Sequence, residues 1–206
     1  MNSENFSQKV QWDECLNKIK IKAERDYTPI ISPELGQFLQ VLVRAKRPER
    51  ILEIGTAVGY STIWLARAVH GNTEIVTIER DEDMYLEAEK NFETLGLKDR
   101  INQKFGDALE ILPSLKEKYD LVFIDGAKGQ YLNYLEMIMD LVPEGGIILA
   151  DNVLYHGHVQ KEGHIPHKRR TMVRVLQEYI RVITEHPLLE SIVLPVGDGL
   201  ALSVRK

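Results

Sequence analysis

The chain has 206 residues, with 26 Lys and Arg against 31 Asp and Glu, for a formal net charge of −5. That length suits one well-cored α/β domain and is short for two. The negative balance excludes a global positive field drawing the protein to nucleic acid, though not a local basic patch. The single cysteine, Cys15, rules out an intramolecular disulfide. No apolar run reaches the ~20 residues of a membrane helix, and the polar start Met1-Asn-Ser-Glu lacks the apolar core of a signal peptide. A reducing cytoplasm, with no membrane partner, is the expected compartment.

Residues 4–24 combine Lys, Glu and Gln with apolar residues at helical spacing and read as a helix. Pro29 and Pro33 restrict the residues before them and break it. Ser32 reads as an N-cap with Pro33 at the first helical position, opening a helix to about Ala45. Pro48 ends that segment. Residues 1–48 form a helical extension of a single domain whose core is 49–206. Candidate strands are Arg50–Gly55, Glu74–Glu79, Ile101–Asp107, Tyr119–Asp125, Gly146–Asp151, Ser191–Val196 and Leu200–Val204. Helical patterns fill 60–70, 82–95, 108–117, 130–141 and 168–186. Alternation of this kind implies a parallel sheet covered on both faces. Only Gly197-Asp198-Gly199 joins the last two strands, too short for a parallel crossover, so they form an antiparallel hairpin. The expected fold is α/β and Rossmann-like: a seven-stranded, mostly parallel sheet with a C-terminal antiparallel hairpin and helices on both faces.

Two of these strands end on polar groups. Leu121–Ile124 closes on Asp125-Gly-Ala-Lys128, and Ile147–Ala150 closes on Asp151-Asn152. Ligands of open α/β sheets sit beyond the carboxyl ends of the strands, so both clusters reach one rim. Two carboxylates and an amide oxygen make a hard oxygen site suited to Mg²⁺, and open also to Mn²⁺ or Ca²⁺. A lysine beside a divalent cation can have its pKa lowered and serve as a base. The bland alternatives are a solvated Lys128 paired with Asp125 and an Asx-turn at Asp151-Asn152.

The turn after the first candidate strand carries Gly55 and Gly59 as Gly-x-x-x-Gly, without the G-x-G-x-x-G of dinucleotide sites. Glu53 would repel a pyrophosphate but favour an ammonium or sulfonium, which tilts the loop toward S-adenosylmethionine and away from NAD. Glu79 ends the second strand, where an acidic side chain can accept from ribose hydroxyls. Gly106, Asp107 and Ala108 end the third and could flank an adenine.

Taken together, Glu53, Gly55, Gly59, Tyr60, Ser61, Asp125, Lys128, Asp151, Asn152 and the run Leu194–Gly199 resemble the metal-dependent class I O-methyltransferases. These include the catechol and caffeoyl-CoA enzymes and small bacterial relatives, among them tRNA hydroxyuridine methyltransferases, which the C-terminal third is most similar to. The resemblance implies that Glu53, Gly55 and Ser61 hold the methionine end of S-adenosylmethionine and that Gly59 and Tyr60 also bind the cofactor. It assigns Glu79 to the ribose, Asp107 and Ala108 to the adenine, and Asp125 to the cofactor and metal alike. Asp151 and Asn152 complete the Mg²⁺ ligands, Lys128 is the general base, and a homodimer is implied. Plant relatives carry a Met-Thr-Thr-Ser-like run where this chain has Pro29-Ile-Ile-Ser32.

Between residues 155 and 170, Lys161, Lys168, Arg169 and Arg170 are interleaved with His156, His158, His164 and His167. Basic residues at a helix start oppose the macrodipole, so they are not there for helix stability. Such a stretch can hold phosphates, which favours the anticodon loop of tRNA carrying 5-hydroxyuridine, with Tyr131 and Tyr155 as stacking candidates. A small catechol-type or phenolic acceptor is the alternative. A non-catalytic cofactor-binding module and an NAD-dependent dehydrogenase stand further off.

Overall fold

The computed structural model describes residues 3–160 and 167–206. Its chain opens with α1 (Ser3–Asp26) and α2 (Pro33–Lys46). Ser32 Oγ accepts from the Leu35 N–H at 3.2 Å, satisfying one of the donors a helix start leaves free. Arg47 ends α2 in the left-handed region, just ahead of Pro48. On α1, Trp12, Leu16, Ile19 and Ala23 recur at helical spacing and are buried, so the extension is part of the core.

Strands β1 (Arg50–Ile54), β2 (Glu74–Glu79), β3 (Ile101–Phe105), β4 (Leu121–Ile124), β5 (Ile147–Ala150), β6 (Leu189–Leu194) and β7 (Leu200–Arg205) form one sheet in the order β3-β2-β1-β4-β5-β7-β6. The first five pair in parallel; β7 runs antiparallel to both β5 and β6. Every residue of β4 and β5 is buried, because these central strands are covered on both faces. Alternation sends Ile51, Phe123 and Leu149 to one core with α1, α2, α3 (Tyr60–Ala68) and α4 (Glu82–Thr94). Leu52, Ile54, Val122, Ile124 and Ile148 go to the other, with α5 (Ala108–Ile111), α6 (Tyr131–Met139) and α7 (Arg170–Glu185).

Three expectations about elements are corrected. The helix expected over 108–117 is only α5 and a 3-10 turn, Leu112–Ser114, because Pro113 cannot supply the N–H that would continue it. The penultimate strand lies two residues earlier than expected, at Leu189–Leu194, since pairing with β7 aligns Leu194 with Leu200 and leaves 195–199 as the turn. The last helix begins at Arg170, after a 3-10 turn at His167–Arg169. Lys161 and His164 of the cationic stretch lie outside the described residues.

Candidate active site

A cavity of about 690 Å³ opens beyond the carboxyl ends of the parallel strands. Its floor is shaped by the turn between β1 and α3. Gly55 has φ +102°, and a Cβ there would lie 2.4 Å from the Asp125 backbone oxygen. Only a residue without a side chain lets the ends of β1 and β4 come this close. The Gly55 and Thr56 N–H groups donate to the Ile78 carbonyl at 3.0 and 3.2 Å. Gly55, Thr56, Ala57, Tyr60 and Ser61 then line the cavity. Gly59 does not. It has φ +82°, and a Cβ would meet Phe92 at 2.6 Å, so this glycine lets the turn pack against α4 and lies off the cavity expected for it.

Glu53 also sits behind the cavity wall. It is fully buried, and its Oε2 accepts from Thr77 at 2.6 Å and from Thr62. Its Oε1 has no hydrogen-bond partner. Burial pushes the carboxyl up to about 7, against the pull of the Ser61, Thr62 and Thr77 hydroxyls. A half-satisfied buried carboxylate is costly, and a cationic ligand or an ordered water would satisfy it.

Glu79 lines the cavity, as expected of a ribose ligand. Its carboxylate accepts from the Ala57 N–H at 2.7 Å and from the Arg80 and Asp81 N–H groups at 2.8 Å each. A carboxylate has about four acceptor positions, so these three bonds fix its plane while leaving room for one hydroxyl. Asp107 and Ala108 line the third strand end, where Asp107 caps α5 through the Leu109 N–H at 2.9 Å.

Asp125, Lys128, Asp151 and Asn152 all reach the same cavity. Asp151 is buried and its Oδ1 accepts from the Asn152 N–H at 2.7 Å. Burial, and then repulsion from Asp151, push the Asp125 carboxyl up to about 8, with Lys128 pulling the other way. Burial raises Asp151 to about 6, and Asp198 adds to the rise. Two carboxylates forced together out of water make a site short of positive charge, which a dication would relieve. Among the described residues no three His, Cys, Asp or Glu side chains cluster as a metal group; the expected set has only two carboxylates, its third member being the amide of Asn152.

The acceptor side is less as expected. Tyr131 is fully buried, its hydroxyl donating to the Asp151 carbonyl at 2.9 Å and its ring set edge-on to Tyr179 at 5.5 Å. It braces the rim from behind and offers no face for stacking. Tyr155 does line the cavity, beside His156, in a stretch where both take positive φ. Asp198, in the β6–β7 turn, holds that stretch, accepting from the His156 N–H at 2.6 Å. Lys168, Arg169 and Arg170 are exposed and line no part of the cavity; Arg169 contacts the His158 ring. Thr56, Arg80 and Asp198 join the cavity without having been singled out. For Asp198 the signal was the glycine-flanked turn; for Thr56 and Arg80 it was adjacency to Gly55 and Glu79.

A family profile described as O-methyltransferase matches residues 5–206. The chain belongs to the O-methyltransferase family. It is 34% identical over 185 residues to a catechol O-methyltransferase of Niastella koreensis, covering 85% of this chain and 82% of that one. It is 33% identical over 184 residues to caffeoyl-CoA O-methyltransferase 2 of Petunia hybrida, covering 84% and 75%. The structure of an O-methyltransferase from Bacillus cereus in complex with S-adenosylhomocysteine superimposes with a TM-score of 0.83 at 31% identity, over 94% of this chain and 91% of that one. This O-methyltransferase has the class I fold expected from its strand pattern. The cavity wall offers close-approach backbone at Gly55 and a Glu79 carboxylate with an acceptor position to spare, so the residues present fit S-adenosylmethionine. No helix among the described residues is long and apolar enough to cross a membrane.

Proposed function

We propose that this methyltransferase acts on a hydroxyl flanked by a second oxygen, in a metal-assisted reaction. The observation that carries the reading is the convergence of Asp125, Lys128, Asp151 and Asn152 on the cavity floored by the Gly55–Ser61 turn. Glu53 and Ser61 serve the methionine end of the cofactor, Glu79 the ribose, and Asp107 with Ala108 the adenine. When held by Asp125, Asp151 and Asn152, a Mg²⁺ ion supplies Lewis-acid polarisation of the paired acceptor oxygens. Lys128 takes the hydroxyl proton on Nζ. The acceptor oxygen, so activated, forms its bond to the methyl carbon as the sulfur–methyl bond breaks. Much of the acceleration comes from fixing the two partners in line.

For the acceptor we favour 5-hydroxyuridine in a tRNA anticodon loop, whose hydroxyl neighbours a carbonyl oxygen. Arg169 touches His158, which ties the exposed Lys168–Arg170 to the segment bearing the cavity-lining Tyr155 and His156. A phosphate backbone held outside with one base splayed inward fits that layout. A small catechol-type phenol is the second reading, favoured by the substrates in the names of the relatives from Niastella and Petunia. A homodimer, as the resemblance implies, completes the proposal; a sedimentation mass of 23.6 kDa at working concentration would remove it.

The test is transfer of labelled methyl from S-adenosylmethionine to tRNA containing 5-hydroxyuridine and to caffeate, with and without EDTA. Labelling of the tRNA, lost in Arg169→Ala/Arg170→Ala, supports the RNA acceptor. Labelling of caffeate alone supports the phenolic one. Transfer insensitive to EDTA overturns the metal.

A further inference from the structure

Strand β2 carries, in register beside Glu53 of β1, a buried threonine that the reaction, as described, does not use. Thr77 is fully buried, and its hydroxyl lies 2.6 Å from Thr56 Oγ1 and 2.6 Å from Glu53 Oε2. A hydroxyl has one proton to give. Since Glu53 can only accept when ionised, the Thr77 proton goes to Glu53 and Thr56 donates to Thr77. The bonds thus form a directed relay, Thr56 to Thr77 to Glu53, joined at its end by Thr62. Thr56 itself lines the cavity, in the turn that Ile78 and Glu79 hold through the Gly55, Thr56 and Ala57 N–H groups. Three consecutive residues of β2 therefore anchor the turn: Thr77 by its side chain, Ile78 by its carbonyl, Glu79 by its carboxylate.

The Thr77 and Thr62 hydroxyls both donate to Oε2, Oε1 has no hydrogen bond, and the Ser61 hydroxyl is the third group drawing on the carboxylate. We propose that Thr77 is a positioning residue of the cofactor site, its hydroxyl tying the buried Glu53 carboxylate to Thr56 and so fixing the Gly55–Ser61 turn that lines the cavity. The inference rests on the reading of Glu53 as serving the methionine end.

Three variants test it, each measured for S-adenosylhomocysteine affinity by calorimetry, for KM and kcat, and for Tm without ligand. Thr77→Val keeps the β-branched shape and removes the relay. It is expected to weaken S-adenosylhomocysteine and raise the KM for S-adenosylmethionine about tenfold, the scale of one hydrogen bond to a charged group. The kcat at saturation should change far less. Thr77→Ser keeps the relay and should restore affinity to about twofold of wild type. Wild-type affinity in folded Thr77→Val, or a Thr77→Ser as weak as Thr77→Val, overturns the inference. If Thr77→Val does not fold, Thr56→Val cuts the relay one bond earlier, and its unchanged affinity overturns the inference as well. Glu53→Gln separates the two levels. Wild-type affinity in Glu53→Gln defeats the reading of Glu53 itself, whereas weak binding there with tight binding in Thr77→Val defeats only the role of Thr77.

Discussion

Gly55 offers the sharpest test of how the site is put together. Replacing it with alanine adds one methyl group at a position with φ +102°, 2.4 Å from the Asp125 backbone oxygen. Holding a non-glycine residue in that conformation costs about 1–3 kcal/mol. Relieving the overlap costs about 1–3 kcal/mol more, because the obstacle is backbone and cannot rotate away. The sum is about 2–6 kcal/mol, and a domain of this size loses about 2–4 °C of Tm per kcal/mol. Gly55→Ala should therefore melt on the order of 5–20 °C below wild type. The displacement also moves Asp125 relative to the turn, so S-adenosylhomocysteine should bind far more weakly even well below Tm. Thermal melts by circular dichroism and calorimetric titration read the two effects separately. A Gly55→Ala protein with wild-type Tm and wild-type affinity would refute the close approach of β1 and β4 on which the site depends.

Further outcomes follow from the same geometry. Lys128→Ala should lower kcat by about 10²- to 10⁴-fold, the range of general-base catalysis, with S-adenosylhomocysteine affinity within about twofold; near-normal turnover would remove the base assignment. In protein freed of metal with EDTA, Asp125 is raised to about 8 and Asp151 to about 6, above the ordinary 3.8. The native state then binds more protons than the unfolded chain between about pH 4 and 8, so stability should fall as pH rises through that window. Mg²⁺ added at pH 8 should raise Tm again, and scanning fluorimetry across pH decides it, a flat or rising metal-free profile going against the buried pair. Tyr131→Phe leaves the Asp151 carbonyl without its hydroxyl donor and should cost about 1–3 kcal/mol of stability, with the acceptor KM unmoved; a changed KM alone would return Tyr131 to the acceptor.

The strand ends were legible because β4 and β5 are short, wholly apolar runs followed at once by Asp125 and Asp151, and β1, apolar but for Arg50 and Glu53, is followed at once by Gly55. Such runs specify burial on both faces, and burial on both faces specifies where the polar groups emerge. The Ser32 cap and the hairpin were legible for equally local reasons. What sequence could not give was direction. Tyr131 begins a helix beside the catalytic rim, and nothing in its neighbours says whether its ring faces the cavity or the core; packing against Tyr179 on a later helix decides that. Gly59 looks like Gly55 on paper, yet one glycine yields to backbone and the other to the Phe92 ring. Asp198 comes to the cavity from a turn far along the chain, through bonds to the backbone of Leu154 and His156. The relay through Thr77 is invisible as well, since a threonine in a buried strand is ordinarily there for its β-branched shape.

The strand order carries a consequence for how the protein is born. β5, whose end presents Asp151, is flanked on one side by β4 and on the other by β7, the seventh strand in chain order. Until residues 200–205 leave the ribosome, β5 has a bare apolar edge, open to pairing with any neighbouring chain. The turn that brings Asp198 against the cavity arrives equally late. A nascent chain can pair β1 to β4 early, but the rim at Asp151 closes only once β7 has been made. The interval between the two is when this sequence is most exposed to aggregation.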